Sequence, residues 1–148
     1  MFNAEAYRRG AILDIEPKDF ELCWRVGAFA GFLVGQATAR RMVTRGSGTI
    51  LFTGATASLR GGANFANLAS PKFALRAVAQ SMARELAPRG IHVAHVIVDG
   101  QIGVEDVAGK PEGRLRPEAI AECYVQLHRQ TRSAWTQEMD LRPWGERF

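Results

Sequence analysis

ASPKFALRAVAQSMARELAPRGIHV, residues Ala69–Val93, runs a helical repeat directly into a strand. Leu75, Val78, Met82 and Leu86 recur at three- and four-residue steps and form a core-facing stripe, while Phe73, Ala77 and Ser81 make a second one. The helix is expected from about residue 64 to Pro88, where Pro88-Arg89-Gly90 stops it. Ile91–Val98 then reads as a strand, and Asp99-Gly100 turns the chain. Upstream, Thr49–Thr53 is a continuous apolar run of the kind buried on both faces of a parallel sheet. Gly46-Ser47-Gly48 separates it from an earlier helix that starts at Glu16-Pro17-Lys18-Asp19 and runs from Pro17 to Arg45. Phe20, Trp24, Ala28 and Phe32 recur every four residues there, with Ala30, Val34, Ala37 and Met42 widening the apolar face. Gly27, Gly31 and Gly35 repeat at the same interval. Each glycine costs a soluble helix about 1 kcal/mol against alanine, so the ladder predicts close packing of another backbone.

Downstream, residues 103–116 read as a polar loop, Pro117–Gln130 as an amphipathic helix with Ile120, Tyr124 and Leu127 on one face, and Ala134–Leu141 as a last strand. Helices and strands alternate throughout. That order belongs to an α/β fold with an open, mostly parallel sheet and helical crossovers.

Composition limits the function classes. Of the 148 residues 47% are hydrophobic and 23% charged, as in an ordinary globular domain. No stretch approaches the about 20 apolar residues of a membrane span, and Glu5, Arg8 and Arg9 break any leader-like run, so a cytoplasmic location is expected. The net charge of +4 is scattered, without a groove-reading motif, and no nucleic-acid partner is expected. Cys23 and Cys123 match no zinc or redox spacing and read as two reduced thiols. His92 and His95, three apart on a strand, point to opposite faces, and His128 has no sequence partner. No metal site is expected.

Four segments resemble the second half of a short-chain dehydrogenase/reductase. Phe2-Asn3-Ala4-Glu5 is similar to the family's Asn-Ala-Gly motif after its fourth strand. FELCWRVGAFAGF, Phe20–Phe32, resembles the helix that usually reads W-x-V-N-x-x-G. GTILFTGA, Gly48–Ala55, matches the fifth strand, and Ala69–Val93 follows the helix and sixth strand after the Tyr-x-x-x-Lys motif. Asp99-Gly100-Gln101-Ile102 stands where the family has Pro-Gly-x-Ile. The resemblance implies a partial Rossmann-like, doubly wound sheet, and a single truncated domain over residues 1–148 that begins at the fourth strand. The glycine-rich turn that cradles a dinucleotide pyrophosphate at a helix N-terminus has no counterpart in this sequence.

The resemblance further implies an NAD- or NADP-dependent oxidoreductase of small carbonyl or alcohol substrates. In that chemistry a tyrosine protonates the developing alkoxide, a lysine four residues later lowers its pKa and holds the ribose, a serine polarises the carbonyl, and an asparagine supports a relay water. Lys72 matches the lysine. Four residues before it stands Leu68, or Asn67 if Pro71 is an insertion; Ala55 takes the serine position, with Thr56 and Ser58 near it, and Gly27 the asparagine position. Asp99 reads either as a turn former or as a new acid. Pro71 fits the first turn of a helix capped by Ser70, or kinks a helix that begins earlier. By the same resemblance Asn3, Ala4, Thr53, Lys72, Gly100 and Ile102 are the cofactor-side residues.

Two functions follow. One is an oxidoreductase by descent that is inactive as this chain. The other is a non-catalytic module that forms a homo-oligomer through the helices at 17–45 and 64–88, with Ala74, Ala77 and Ser81 supplying close approach.

Overall fold

The structure, a computed structural model, describes residues 1–103 and 113–145. Its elements are α1 (Pro17–Trp24), α2 (Ala30–Arg45), β1 (Gly48–Ala55), α3 (Ala66–Leu86), β2 (Ile91–Val98), α4 (Pro117–Arg129) and β3 (Glu138–Leu141). All three strands are parallel, in the order β1-β2-β3. Phe2 extends the sheet beyond β1: its amide donates to the Leu51 carbonyl at 2.8 Å, and its carbonyl accepts from Thr53 at 3.0 Å. The fold is the Rossmann-like α/β sheet expected of the sequence.

Alternation along the strands divides the core in two. Ile50 and Phe52 of β1 and Ile91 and Val93 of β2 pack under α2 and α3 with Phe2, Leu75 and Ala79. Leu51, Ala94, Val96 and Val98 pack on the other face against Leu127 and Tyr124 of α4. Every residue of β2 is buried, which explains its near-continuous apolar character and its place in mid-sheet.

Several expectations need correction. The helix expected over 17–45 is interrupted by a π-helical turn at Arg25–Phe29, which joins α1 to α2 and contains Gly27. A turn of this width shifts the helical register. Cys23, Gly27, Gly31, Gly35 and Ala39 face inward; of the expected apolar face Ala28 is buried and Ala30 and Met42 pack against the core, whereas Phe20, Trp24, Phe32 and Val34 are left exposed. The glycine ladder does admit close neighbours, but they are side chains of the chain's own interior and not another backbone. A Cβ on Gly27 would lie 2.9 Å from Cβ of Pro71, one on Gly31 2.4 Å from Leu75, and one on Gly35 2.9 Å from Phe52.

Helix α3 begins at Ala66, so Pro71 stands inside it and not in its first turn. The last strand is shorter than expected, with a 3-10 turn at Arg132–Ala134 preceding it. His128, expected to be without a partner, meets the Thr49 hydroxyl through Nδ1 at 3.0 Å. Of the loop expected at 103–116, positions 104–112 lie outside the described residues; its ends pair through a parallel bridge between Ile102 and Leu115.

Candidate functional site

Parallel strands deliver their C-terminal ends, with the loops that follow, to one edge of the sheet, where α/β proteins bind ligands. Two clefts open there and share Ala55. The larger, of about 500 Å³, is lined by Asn3, Thr53, Gly100, Ile102 and Tyr124 among others. Four of the residues implied as cofactor-side, Asn3, Thr53, Gly100 and Ile102, are thus brought together, whereas Ala4 and Lys72 stand outside the lining. Gly100 has φ +151°, and a Cβ there would meet Pro143 at 2.7 Å, so this turn requires glycine.

The smaller cleft, of about 320 Å³, has walls of Ala55, Ala57, Phe65 and Leu68, with Thr56, Arg60 and the Gly61-Gly62 pair at its polar side. Ala55 and Leu68, at the positions the resemblance gives to serine and tyrosine, both line this cleft. Neither carries a transferable proton. The unbroken run of α3 through Pro71 also decides the register: Leu68 is one turn before Lys72, and Asn67 is turned away, donating from Nδ2 to the Arg8 carbonyl at 2.8 Å.

Lys72 is buried, and its ammonium is held internally. Nζ lies 2.8 Å from Oε2 of Glu5 and donates to the Thr53 carbonyl at 3.1 Å. Glu5 occupies the glycine position of the Asn-Ala-Gly motif, and its other carboxylate oxygen accepts from the Ala6 amide at 3.1 Å. The same carboxylate lies 3.1 Å from where a Cβ of Gly27 would be, alongside Pro71. Glu5, Gly27, Pro71 and Lys72 thus form one packed group: the carboxylate takes up the lysine, and the missing side chain at 27 makes room for the proline ring. An acid at the motif's glycine position and a lone family lysine were both visible in the sequence. Their pairing was the signal that went unread.

Asp99 and the hydroxyls near the serine position are engaged elsewhere. Thr56 donates its hydroxyl to Oδ1 of Asp99, whose Oδ2 lies 3.0 Å from a guanidinium nitrogen of Arg142. Asp99 is only 5% exposed, so it is more than a surface turn former. It ties the end of β2 to the loop after β1 and to the segment after β3. Ser58 is fully buried and accepts from the Ala55 amide at 3.1 Å.

Two polar groups escaped sequence reasoning because their members lie far apart in the chain. Glu138 at the start of β3 receives two bonds of 2.7 Å from Arg76 of α3, and one of 3.1 Å from Nδ1 of His95. These donors, Arg76 foremost, hold the Glu138 carboxyl below its ordinary pKa, while burial holds the His95 imidazole below its own. His92, on the opposite face, stacks on Trp135 with ring centres 5.0 Å apart and donates to the Thr136 carbonyl. The second group is Tyr124, whose hydroxyl meets that of Thr53 at 2.6 Å on the wall of the larger cleft. Burial pushes its pKa up, so it stays protonated at neutral pH. Among the described residues no three His, Cys, Asp or Glu side chains gather as a metal site, and no helix is long and apolar enough to cross a membrane.

The family model for short chain dehydrogenases matches residues 1–103, and the chain belongs to that family. A 3alpha-hydroxysteroid dehydrogenase of Mediterraneibacter gnavus is 29% identical over 115 residues, 78% of this chain and 46% of the relative. A crystal structure of a short-chain dehydrogenase from Rhodopseudomonas palustris is 48% identical with a TM-score of 0.81, over 96% of this chain and 60% of that one. A gluconate 5-dehydrogenase of Burkholderia cenocepacia, solved with NADP and tartrate, shares the fold at 23% identity and a TM-score of 0.82, over 95% of this chain and 61% of that one. The chain spans under half the length of the curated relatives it matches.

Proposed function

We propose that this chain is the substrate-side part of a short-chain dehydrogenase that keeps the family's ligand clefts and has given up its proton chemistry, so that it binds without reducing. The observation that carries this reading is the internal ion pair of Lys72 with Glu5. A lysine that lowers a neighbouring tyrosine's pKa and grips a ribose must present its ammonium to the cleft. Here the ammonium is neutralised beneath it, and Leu68 leaves no phenol to act on. The residues present do not fit the nicotinamide end of an NAD or NADP cofactor as the family holds it, and no catalytic step is derived through that group. Its substrate-side ligand is a small molecule, and its compartment by descent is the cytoplasm.

The test is titration of the purified chain with NADH and with NADPH, followed by nicotinamide fluorescence. The expected outcome is no saturable rise for either. Saturable binding of one of them would overturn the reading and would show that the ribose is held by groups other than Lys72.

A second reading, a homo-oligomerising module, is favoured by one feature. Trp24, Phe29 and Phe32 stack in succession on the outer face of the first helical layer, each 37–41% exposed, and Phe73 is similarly exposed on α3. Contiguous exposed aromatics of this kind mark contact surfaces. Light scattering during size exclusion reads it directly: a dimer that Trp24→Glu with Phe32→Glu converts to a monomer supports this role, and a monomeric parent chain removes it.

A further inference from the structure

The cleft between Ala55 and Leu68 has lost its acid but not its shape, and its remaining chemistry specifies a different occupant. Phe65, one of its walls, is braced from outside: the Tyr7 ring stacks on it at 5.7 Å and 11°, and the Arg9 guanidinium sits 5.4 Å from its centre. A wall held this way is preformed and does not have to be ordered by the ligand. The volume, about 320 Å³, lies at the small end of the roughly 300–1,000 Å³ typical of ligand sites. Its interior is apolar. The one hydroxyl, on Thr56, already donates to Asp99, and the charge of Asp99 is met by Arg142.

That leaves Arg60. It is the only charged residue among the cleft's lining, no acid lies there, and its guanidinium has no hydrogen bond or ion pair among the described residues. Next to it, Gly61 and Gly62 line the cleft with no side chain that could compete for its donors. A planar fork of free donors beside an apolar cavity is matched by a carboxylate on a hydrocarbon body, because the guanidinium takes both oxygens while the body displaces water from the walls.

We propose that this cleft binds a small apolar monocarboxylate, its hydrocarbon part between Ala55, Phe65 and Leu68 and its carboxylate on Arg60. The inference rests on the reading of the cleft as a binding site without its acid, and it adds the ligand class. It requires no cofactor and no bond to break.

Calorimetric titration of the full chain with octanoate, and with 1-octanol as its uncharged counterpart, tests the proposal. Octanoate should bind saturably. Arg60→Met should weaken it by about 10- to 100-fold, the worth of a hydrogen bond to a charged group, and leave octanol unchanged. Leu68→Trp, which fills the cavity, should abolish both, with circular dichroism confirming that the variant is folded. Octanoate binding that is indifferent to Arg60→Met overturns the carboxylate assignment, and so does equal affinity for the acid and the alcohol. No binding of either removes the site. The NADH and NADPH titrations report separately on the proposed function: nucleotide binding refutes that reading whatever octanoate does, and failure of octanoate alone refutes only this one.

Discussion

Glu5→Gln removes the negative charge that balances Lys72 and leaves almost everything else in place. The Lys72 side chain is 7% exposed and the Glu5 side chain 23%. Breaking a fully buried ion pair by neutralising one partner costs about 3–5 kcal/mol, because the other charge stays desolvated. The partial exposure of Glu5, and the Thr53 carbonyl that still accepts from Nζ at 3.1 Å, reduce the expected loss to about 2–3 kcal/mol. For a domain of this size the melting temperature should fall by about 5–10 °C. Lys72→Met fills similar volume and leaves the unpaired charge on Glu5, whose 23% exposure lets water reach it, so it should cost only about 1 kcal/mol. The double variant should match Lys72→Met and not the sum, giving a coupling of about 2 kcal/mol in urea unfolding. Additive single effects, within about 0.5 kcal/mol, would refute the view that the carboxylate's role is to neutralise a buried lysine. The family's use of that lysine gives the opposite expectation, since there Lys72→Met would abolish nucleotide binding and Glu5→Gln would not touch it.

Three further outcomes are expected. Gly31→Val should destabilise by about 2 kcal/mol through overpacking against Leu75 and Phe2, read as a lower urea midpoint; an unchanged midpoint would mean that α2 slides freely over α3. Stability should fall with acid in two stages. His95, depressed by burial, is neutral when folded, so its contribution is present above about pH 6.5 and lost below it as the unfolded chain takes up the proton first; Glu138, depressed mainly by Arg76, loses its contribution below about pH 4.3. Urea midpoints at pH ~7.5 and ~5.5 should therefore differ, and His95→Gln should flatten the difference; a variant as steep as the parent rules out His95 as the cause. Tyr124→Phe should cost about 0.5–1.5 kcal/mol, the net value of one hydrogen bond, and in the parent a tyrosine should ionise above the ordinary range in an alkaline absorbance titration. Loss of that high-pH step in the variant identifies it.

The periodic elements were legible because burial imprints a period on the sequence. α3 and β2 followed from Leu75, Val78, Met82 and Leu86 running into Ile91–Val98, and the parallel sheet followed from the alternation of helix and strand. The first helix was legible only in part, since Ala28, Ala30 and Met42 of its expected face pack inward while its aromatics do not. Phe20, Trp24 and Phe32 were its most hydrophobic residues, yet Cys23, Gly27, Gly31 and Gly35 went inward. A π turn cannot be seen in a four-residue repeat, and a helix against close-packed neighbours buries its smallest residues. Pro71 was likewise ambiguous, since only the space left by Gly27 allows a proline ring at that depth in α3.

At the site, the sequence by itself determined which groups are absent: Ala55, Leu68 and Gly27 cannot supply an acid or a relay, whatever the fold does with them. It also determined the family, through residues spaced along most of the chain. Which partners the remaining polar groups take was decided by tertiary structure alone. Lys72 meets Glu5 across 67 positions, Asp99 meets Thr56 and Arg142, and Tyr124 meets Thr53 across 71. The physical reason is that covalent order fixes what a residue can do, whereas the field and partners that decide what it does come from neighbours assembled by the sheet, and the chain carries no local record of them.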